Sequence, residues 1–216
     1  MKPTKIKQIF ILSILLCSIS FAQIDYTPGY KAGKPVEMQK LNFLNGEWDI
    51  TLFYPDTSSK DSLRWVPSKK SFAIFTPLYN GAFFLESFQG FPLNPPHEGF
   101  ASWEYMSIYS YDRFLEKYRC AVIDNLMGLM DLYNGTFEND VFLFSNLNTE
   151  TFNNSGTNRT PQKSLFKIFD FKKNKNMVKE FSLIWFSVDE KKIISKDLNK
   201  IDWKPNVKMI YKREKN

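Results

Sequence analysis

Histidine and cysteine are scarce in this sequence, whose 216 residues include one histidine and two cysteines. Cys17 lies in an N-terminal segment that we expect to be removed, which leaves Cys120 and excludes an intramolecular disulfide. A metal centre of imidazole and thiolate ligands, or a catalytic Cys–His pair, would depend on Cys120 and the single His97. The chain also contains no P-loop, G-x-G-x-x-G or G-x-S-x-G motif. We therefore predict no metal and no cofactor, and we assign no catalytic residue.

Aromatic residues, by contrast, are abundant. Phe, Trp and Tyr make up 17% of the chain, with 21 phenylalanines, and hydrophobic residues make up 43%. A chain of this length buries about 70% of its unfolded surface, so one domain with a substantial core can hold these side chains. Because aromatic and β-branched residues favour strands and alanine is infrequent, the composition favours β structure.

The first 22 residues have the pattern of a signal peptide. Three lysines within the first seven residues precede an apolar run, Ile9–Leu16, which is too short to span a bilayer comfortably. Small residues at Ser20 and Ala22 fit a signal-peptidase site, so we expect cleavage before Gln23. We therefore expect a protein exported to the periplasm or secreted, with no stable membrane insertion once residues 1–22 are removed.

Charge gives little indication of a partner. The formal net charge of +6 falls to +3 when the three lysines of the leader are removed. The densest basic cluster, Lys172–Lys175, lies in a predicted turn, where solvated lysines are the usual interpretation. We therefore expect no nucleic-acid partner.

Three segments divide the chain. After the leader, residues 23–35 contain two prolines and two glycines and predict an extended arm or linker. Apolar residues at near-helical spacing predict a short helix that begins at Val36. Residues 36–216 show no repeat and no second domain, so we assign them to one barrel domain.

Alternating apolar residues and turn signals predict about nine or ten antiparallel strands at hairpin spacing, a pattern that fits a sandwich or a barrel. Asn80-Gly81 is a strong hairpin signal, because both residues tolerate a positive φ angle. The second predicted strand is interrupted, with pieces at Leu63–Val66 and Ser71–Thr76, and Pro67 between them indicates a bulge or an edge. The other predicted strands are Trp48–Tyr54, Ala82–Gln89, Phe100–Tyr109, Lys117–Asp124, Met127–Phe137, Val141–Leu147, Ser164–Phe171, Met177–Val188 and Val207–Arg213. Predicted loops cover Pro92–Gly99, Thr149–Pro161 and Asp189–Asn206, the last with a short helix.

Several short motifs resemble those of a known family. Gly46-Glu47-Trp48 resembles the G-x-W start of calycin barrels such as lipocalins and fatty-acid-binding proteins, and Met209–Arg213 resembles their closing strand. Between them the order of motifs is similar to that of the domain-of-unknown-function 1579 family, a group of lipocalin-like barrels. The matching pieces are Gly81–Gly90, Glu98-Gly99, Tyr109–Asp112, Lys117-Tyr118, Ile123–Asn125 and Gly135–Phe137.

This resemblance implies an all-β fold, a single antiparallel lipocalin-like barrel with a short N-terminal helix. It also implies that Gly46, Trp48 and Arg213 close one end of the barrel, with Trp48 packed under Arg213 in a cation–π contact. The working end would then be the opposite one. The chain departs from the family pattern at Ala82, where an arginine is common, and at Val122, where a tryptophan is common, and both changes make the interior more apolar. Related nitrobindins bind haem through a histidine near the closing strands, and this chain has none there.

Candidate ligand-binding residues come from the aromatic strands and the few charges among them. Glu86 lies between two phenylalanines on one strand face, so its pKa should rise unless a base such as Arg119 pairs with it or the face points outward. Asp124 and Asp131 are predicted on adjoining strands, where rim or hydrogen-bonded core acids are a better interpretation than a metal site. The candidates are Phe84, Glu86, Phe88, Trp103, Tyr105, Arg119, Asp124 and Trp185.

The function that these residues predict is the binding of a small, largely apolar ligand inside the barrel, with Glu86, Arg119 or Asp124 at its polar end. A packed core explains the same aromatic residues equally well. Two alternatives stay open: a ligand-free envelope or interaction module that uses residues 23–35 and 189–206, and an enzyme that acts at the barrel mouth. The sequence leaves ligand identity and oligomeric state open.

Overall fold

The chain forms a closed barrel of ten antiparallel strands in a computed structural model that describes residues 33–56, 63–97, 100–125, 128, 130–151 and 161–213, apart from the side chains of residues 93–101. Each strand pairs with the next along the chain, and the first strand pairs with the last. The predicted all-β barrel with a short N-terminal helix is therefore confirmed. The predicted signal peptide and the arm as far as residue 32 lie outside the described residues.

The strands follow one another at hairpin spacing. They are β1 Gly46–Pro55, β2 Trp65–Leu78, β3 Phe83–His97, β4 Phe100–Asp112, β5 Lys117–Asp124, β6 Met130–Glu138, β7 Val141–Ser145, β8 Gln162–Asn174, β9 Met177–Asp189 and β10 Lys204–Lys212. Short 3₁₀ helices cover Val36–Leu44, Tyr79–Gly81, Glu190–Lys192 and Leu198–Lys200. Within these described segments, no helix is long and apolar enough to cross a bilayer.

Alternation along the strands places one side-chain set inside the barrel. In β1 the buried residues are Trp48, Ile50 and Leu52, with more exposed residues between them. Successive side chains of a strand point to opposite faces, so this alternation separates an interior from an exterior. The inner faces of all ten strands together form the hydrophobic core.

The first 3₁₀ helix closes the end of the barrel where β1 begins. Met38, Leu41 and Leu44 on this helix are fully buried and belong to the core. The Tyr118 hydroxyl on β5 donates a hydrogen bond of 2.9 Å to the Glu37 carbonyl and so ties the helix to the barrel wall. We call this end of the barrel the capped end and the opposite one the distal end.

The structure corrects the prediction of a loop over Pro92–Gly99. β3 continues to His97 and pairs with β4, with Phe91 opposite Trp103 and His97 opposite Phe100. Prolines cannot donate to a ladder, but the pairing here shifts register between Pro92 and His97. Such irregular stretches accommodate prolines within a strand, which is why the proline signal misled the prediction.

Pro67 marks the bulge that the sequence indicated, although it does not interrupt the strand. β2 runs without a break from Trp65 to Leu78, and the register between β1 and β2 shifts between Thr51 and Phe53. Phe53 lies opposite Pro67 at the end of this shift. The missing amide hydrogen of proline is thereby accommodated at an irregular position of the ladder.

Candidate functional site

Trp48 and Arg213 meet at the capped end. The guanidinium carbon of Arg213 lies 4.2 Å from the centroid of the Trp48 ring, a cation–π distance. Arg213 Nη2 donates hydrogen bonds of 2.7 Å to the Phe43 carbonyl and 2.6 Å to the Asn45 carbonyl. Trp48 Nε1 donates one of 2.7 Å to the Leu44 carbonyl. The contact predicted between these two side chains is present, and it ties the first and last strands to the helix.

Gly46 makes room for this contact. Its φ angle is +108°, and a Cβ atom at this position would lie 2.9 Å from Arg213 Nη1. A side chain at Gly46 would therefore be strained by the backbone conformation and would also displace the guanidinium group.

Several inner side chains of the distal half are partly exposed. Trp48 and Leu44 at the capped end are fully buried, whereas Tyr105, Val207 and Asp131 are 6%, 7% and 8% exposed. Trp103 and Trp185 pack against the core but are only half-buried. Trp185 lies opposite the buried Phe166 in the ladder. These side chains are therefore less completely enclosed than Trp48 and Leu44. We call this region, defined by Trp103, Tyr105, Asp131, Trp185 and Val207, the distal interior.

Glu86 lies inside the barrel with a tyrosine hydroxyl on each of three sides. Tyr105 and Tyr211 donate to Oε1 at 3.0 Å each, and Tyr109 donates to Oε2 at 3.0 Å. The Tyr105 and Tyr211 hydroxyls lie 3.1 Å from each other. Three strands, β3, β4 and β10, thus converge on one fully buried carboxyl group. We call Glu86 and these three tyrosines the glutamate–tyrosine cluster.

Burial decides the electrostatics of this cluster. Desolvation raises the pKa of Glu86, and the tyrosine hydrogen bonds, which favour the carboxylate, offset part of that rise. Burial, followed by the charge of Glu86, raises the pKa of Tyr105, Tyr109 and Tyr211 well above the ordinary value. The expected increase in the pKa of Glu86 is therefore in the predicted direction, but tyrosines, not a base, are its partners.

Three of the candidate aromatic residues meet on the inner wall. Phe88 and Tyr105 stack with ring centroids 4.4 Å apart, and Trp103 lies 5.4 Å from Phe88 and 5.6 Å from Tyr105. Phe84 is also buried but lies closer to the capped end, opposite Tyr109. Trp185 is on β9, in a separate part of the wall.

Arg119 and Asp124 are the two charged candidates on β5. Arg119 lies on the outer face of β5, between the buried Tyr118 and Cys120, and its guanidinium group hydrogen-bonds the Asn134 amide oxygen. The prediction placed Arg119 at the polar end of an interior ligand, but strand alternation points its side chain outwards, away from the interior. Asp124 is half-buried at the end of β5, opposite Tyr105 in the ladder.

A second polar network in the distal interior was missed by sequence reasoning. Asp131 accepts hydrogen bonds from the Tyr133 hydroxyl and from the Asn146 amide, the latter at 3.0 and 3.1 Å. Asn146 in turn accepts one of 2.6 Å from the Ser164 amide. The spacing of Asp131 and Tyr133 could have indicated a shared face, but Asn146 follows the end of β7 and carried no signal.

Trp185 stands beside this network with an unused donor. Its ring stacks on Phe166 at 5.0 Å between centroids and meets the edge of Tyr133 at 5.7 Å. Its Nε1 atom is buried and has no hydrogen-bond partner among the described residues. Ser164 Oγ is also buried and, although it lies beside the Tyr133 hydroxyl, forms no hydrogen bond of ordinary geometry there.

No protein-family model matches this chain, and no curated protein matches it. Among the residues that the structure describes, no three His, Cys, Asp or Glu side chains are grouped as metal ligands would be. The functional argument therefore depends on the geometry of the barrel interior.

Proposed function

We propose that this protein binds a small, largely apolar molecule in the distal interior, and that the Trp185 indole donates a hydrogen bond to an acceptor on that molecule. The single observation that carries this proposal is the buried, unpartnered Nε1 of a half-buried, inward-facing tryptophan. Ser164 Oγ is a second unused polar atom nearby. It lies on the neighbouring strand β8, two residues before Phe166, which is opposite Trp185.

An unused donor of this kind is unfavourable in an empty protein. A buried polar group without a partner costs about 1–3 kcal/mol, so most such groups in native proteins are satisfied by protein atoms, water or ligand. Part of the Trp185 side chain is accessible although its Nε1 atom is buried, so a ligand must displace neighbouring atoms to bring an acceptor to the indole N–H. A carbonyl or ether oxygen on a ligand would remove the penalty.

The surrounding wall suits an apolar molecule. Phe88, Trp103 and Tyr105 on one side and Phe166 and Trp185 on the other present aromatic surface to the interior. Burial of apolar surface contributes about 25 cal/mol per Å², so a molecule of lipid size needs few polar contacts to bind. A largely aromatic pocket with a few fixed polar groups is the usual form of a small-molecule site.

Glu86 and Arg119, which the sequence predicted at the polar end of the ligand, do not contact it in this proposal. Glu86 already accepts hydrogen bonds from three tyrosines, so it supports the interior wall instead of meeting the ligand. Arg119 lies outside the barrel. An enzyme at the barrel mouth finds no support in Glu86, because this carboxyl group is fully buried and its oxygens are already occupied.

We also keep two expectations as part of the proposal. The lysines and apolar run of residues 1–22 support export to the periplasm or the exterior. Membership of the domain-of-unknown-function 1579 family is supported only by the order of the short sequence motifs.

Two neutral fluorescent probes test the site. Prodan, a naphthalene ketone, offers a carbonyl acceptor, whereas phenylnaphthylamine has a similar apolar body without one. We expect Trp185→Phe to weaken prodan binding roughly three- to tenfold, and to change phenylnaphthylamine binding much less, because only prodan uses the indole N–H.

Trp203→Phe is the matched control, since the Trp203 indole N–H is already bonded to the Leu198 carbonyl at 3.0 Å. Native mass spectrometry of the purified protein should also detect a bound apolar molecule. If neither probe binds, or if both tryptophan variants affect prodan equally, the proposed site is wrong.

A further inference from the structure

A groove with a volume of about 1010 Å³ lies at the capped end, on the opposite side of the glutamate–tyrosine cluster from the distal interior. It is bounded by the 3₁₀ helix Val36–Leu44 and by the turns of the β6–β7 and β8–β9 hairpins. We call it the capped-end groove. Its main lining residues are the cations Lys40, Lys173, Lys175, Lys179 and Arg213 and the aromatic residues Phe43, Phe137, Phe142 and Phe171.

The charge of this groove is strongly one-sided. Among the described residues, which end at Arg213, five cationic side chains line it and Asp140 is its single carboxylate. The nearest acid on β9, Glu180, is held by Lys172 and by Lys212, the latter at 3.1 Å. In the part of the chain that the structure describes, no ion pair neutralises the groove lysines. A concave surface lined by one sign of charge raises the local concentration of counter-ions.

The floor of the groove is aromatic. Phe43 meets the edges of Phe171 and Phe181 at centroid distances of 4.9 and 5.5 Å. Lys40 Nζ stands 4.7 Å above the centroid of Phe137, so a cation and an apolar surface are already adjacent. A ligand that matched both features would carry a negative group and an apolar body.

Arg213 gives the groove a partly buried charge. Its Nη2 is fixed by the Phe43 and Asn45 carbonyls, but its Nε is buried and has no hydrogen-bond partner among the described residues. Burial also lowers the pKa of this guanidinium group, because the charged form loses part of its solvation. An anion in the groove would compensate that charge.

We propose that the capped-end groove binds a small amphipathic anion, namely a carboxylate, sulfonate or phosphate group on an aromatic or aliphatic body. The negative group meets Lys173, Lys179 and Arg213, and the apolar body lies on the phenylalanine floor. This site is independent of the neutral-ligand site in the distal interior, so either one can fail without the other.

Anilinonaphthalene sulfonate is a suitable probe, because phenylnaphthylamine has the same ring skeleton without the sulfonate. The sulfonate probe should bind the purified protein more weakly as salt is raised. The double variant Lys173→Glu, Lys179→Glu should weaken its binding roughly tenfold or more, as expected when charge-assisted contacts are replaced by repulsion. The neutral probe should respond much less to the same variant.

The double variant Lys191→Glu, Lys196→Glu is the control, since it makes the same charge change at exposed residues that do not line the groove. Lys173→Met, Lys179→Met keeps the aliphatic stems and should still weaken sulfonate binding if the glutamate variant fails to fold. Trp185→Phe should leave sulfonate binding unchanged. Equal binding to wild-type protein and the methionine variant would overturn the proposal, as would equal losses in the groove and control variants.

Discussion

The Tyr211 hydroxyl on the last strand donates a hydrogen bond of 3.0 Å to Glu86 Oε1 on the third strand. These residues are 125 positions apart in sequence, and their strands are not neighbours in the sheet. The bond therefore spans part of the barrel interior. It holds together the layer that separates the capped end from the distal interior.

Removal of this hydroxyl should destabilise the barrel measurably. Tyr211→Phe leaves Glu86 with two tyrosine donors and should lower the free energy of unfolding by about 1–3 kcal/mol, as is usual for a lost hydrogen bond to a buried acidic group. Urea denaturation measures the difference. Tyr79→Phe is the control, because Tyr79 is 82% exposed, and its effect should be close to zero. Equal effects of the two substitutions would show that the cluster contributes nothing to stability.

The raised pKa of Glu86 predicts a particular pH dependence of stability. Because burial raises the folded-state pKa above the usual value of 4.5, the folded protein retains this proton to a higher pH than the unfolded chain. The contribution of Glu86 to stability is therefore fully present below pH 4.5 and decreases as pH rises towards the folded-state pKa.

Glu86→Gln isolates this effect. The difference in unfolding free energy between wild type and Glu86→Gln should change in favour of the variant as pH rises above about 4.5. Glu138→Gln makes the same chemical change at an exposed residue and is the control. A difference that moved in the opposite direction would mean that the tyrosine hydrogen bonds outweigh burial and that the folded protein holds Glu86 as a stabilised carboxylate.

Gly46→Ala tests the closure at the capped end. Both Gly46 and Gly33 have positive φ angles, +108° and +100°, but only at Gly46 would a Cβ atom contact Arg213 Nη1, at 2.9 Å. Gly46→Ala should therefore cost more stability than Gly33→Ala, with an excess of about 1–2 kcal/mol from displacement of the guanidinium group. Thermal unfolding of both variants gives the comparison. If their costs are equal, the backbone conformation alone explains the effect.

The periodicity of apolar residues predicted most of the strands and their inner faces. Trp48, Ile50 and Leu52 alternate strictly, and such alternation determines which face is inside without knowledge of the strand's neighbours. The G-x-W motif and Arg213 also predicted a contact between the first and last strands. Pro92 misled the prediction because proline usually ends a strand, whereas here an irregular register accommodates it.

The candidate site was less accessible to sequence reasoning. Glu86 was singled out as a charge among aromatic residues, but its partners are tyrosines that local sequence cannot distinguish from others on the same strands. The Asp131–Asn146 network joins the two arms of the β6–β7 hairpin, and its geometry depends on ladder register. The capped-end groove is formed by one helix and two distant turns, so no single stretch of sequence predicted it.

The central claim is that Trp185 meets a ligand in the distal interior, and the indole N–H signals of the five tryptophans test it most directly by NMR. The Trp185 signal is assigned by its loss in Trp185→Phe. On addition of prodan, this signal should shift downfield and its exchange with water should slow, while the signal of Trp203 stays in place. A Trp185 signal that does not respond to prodan, or to any molecule that copurifies with the protein, would contradict the proposed function.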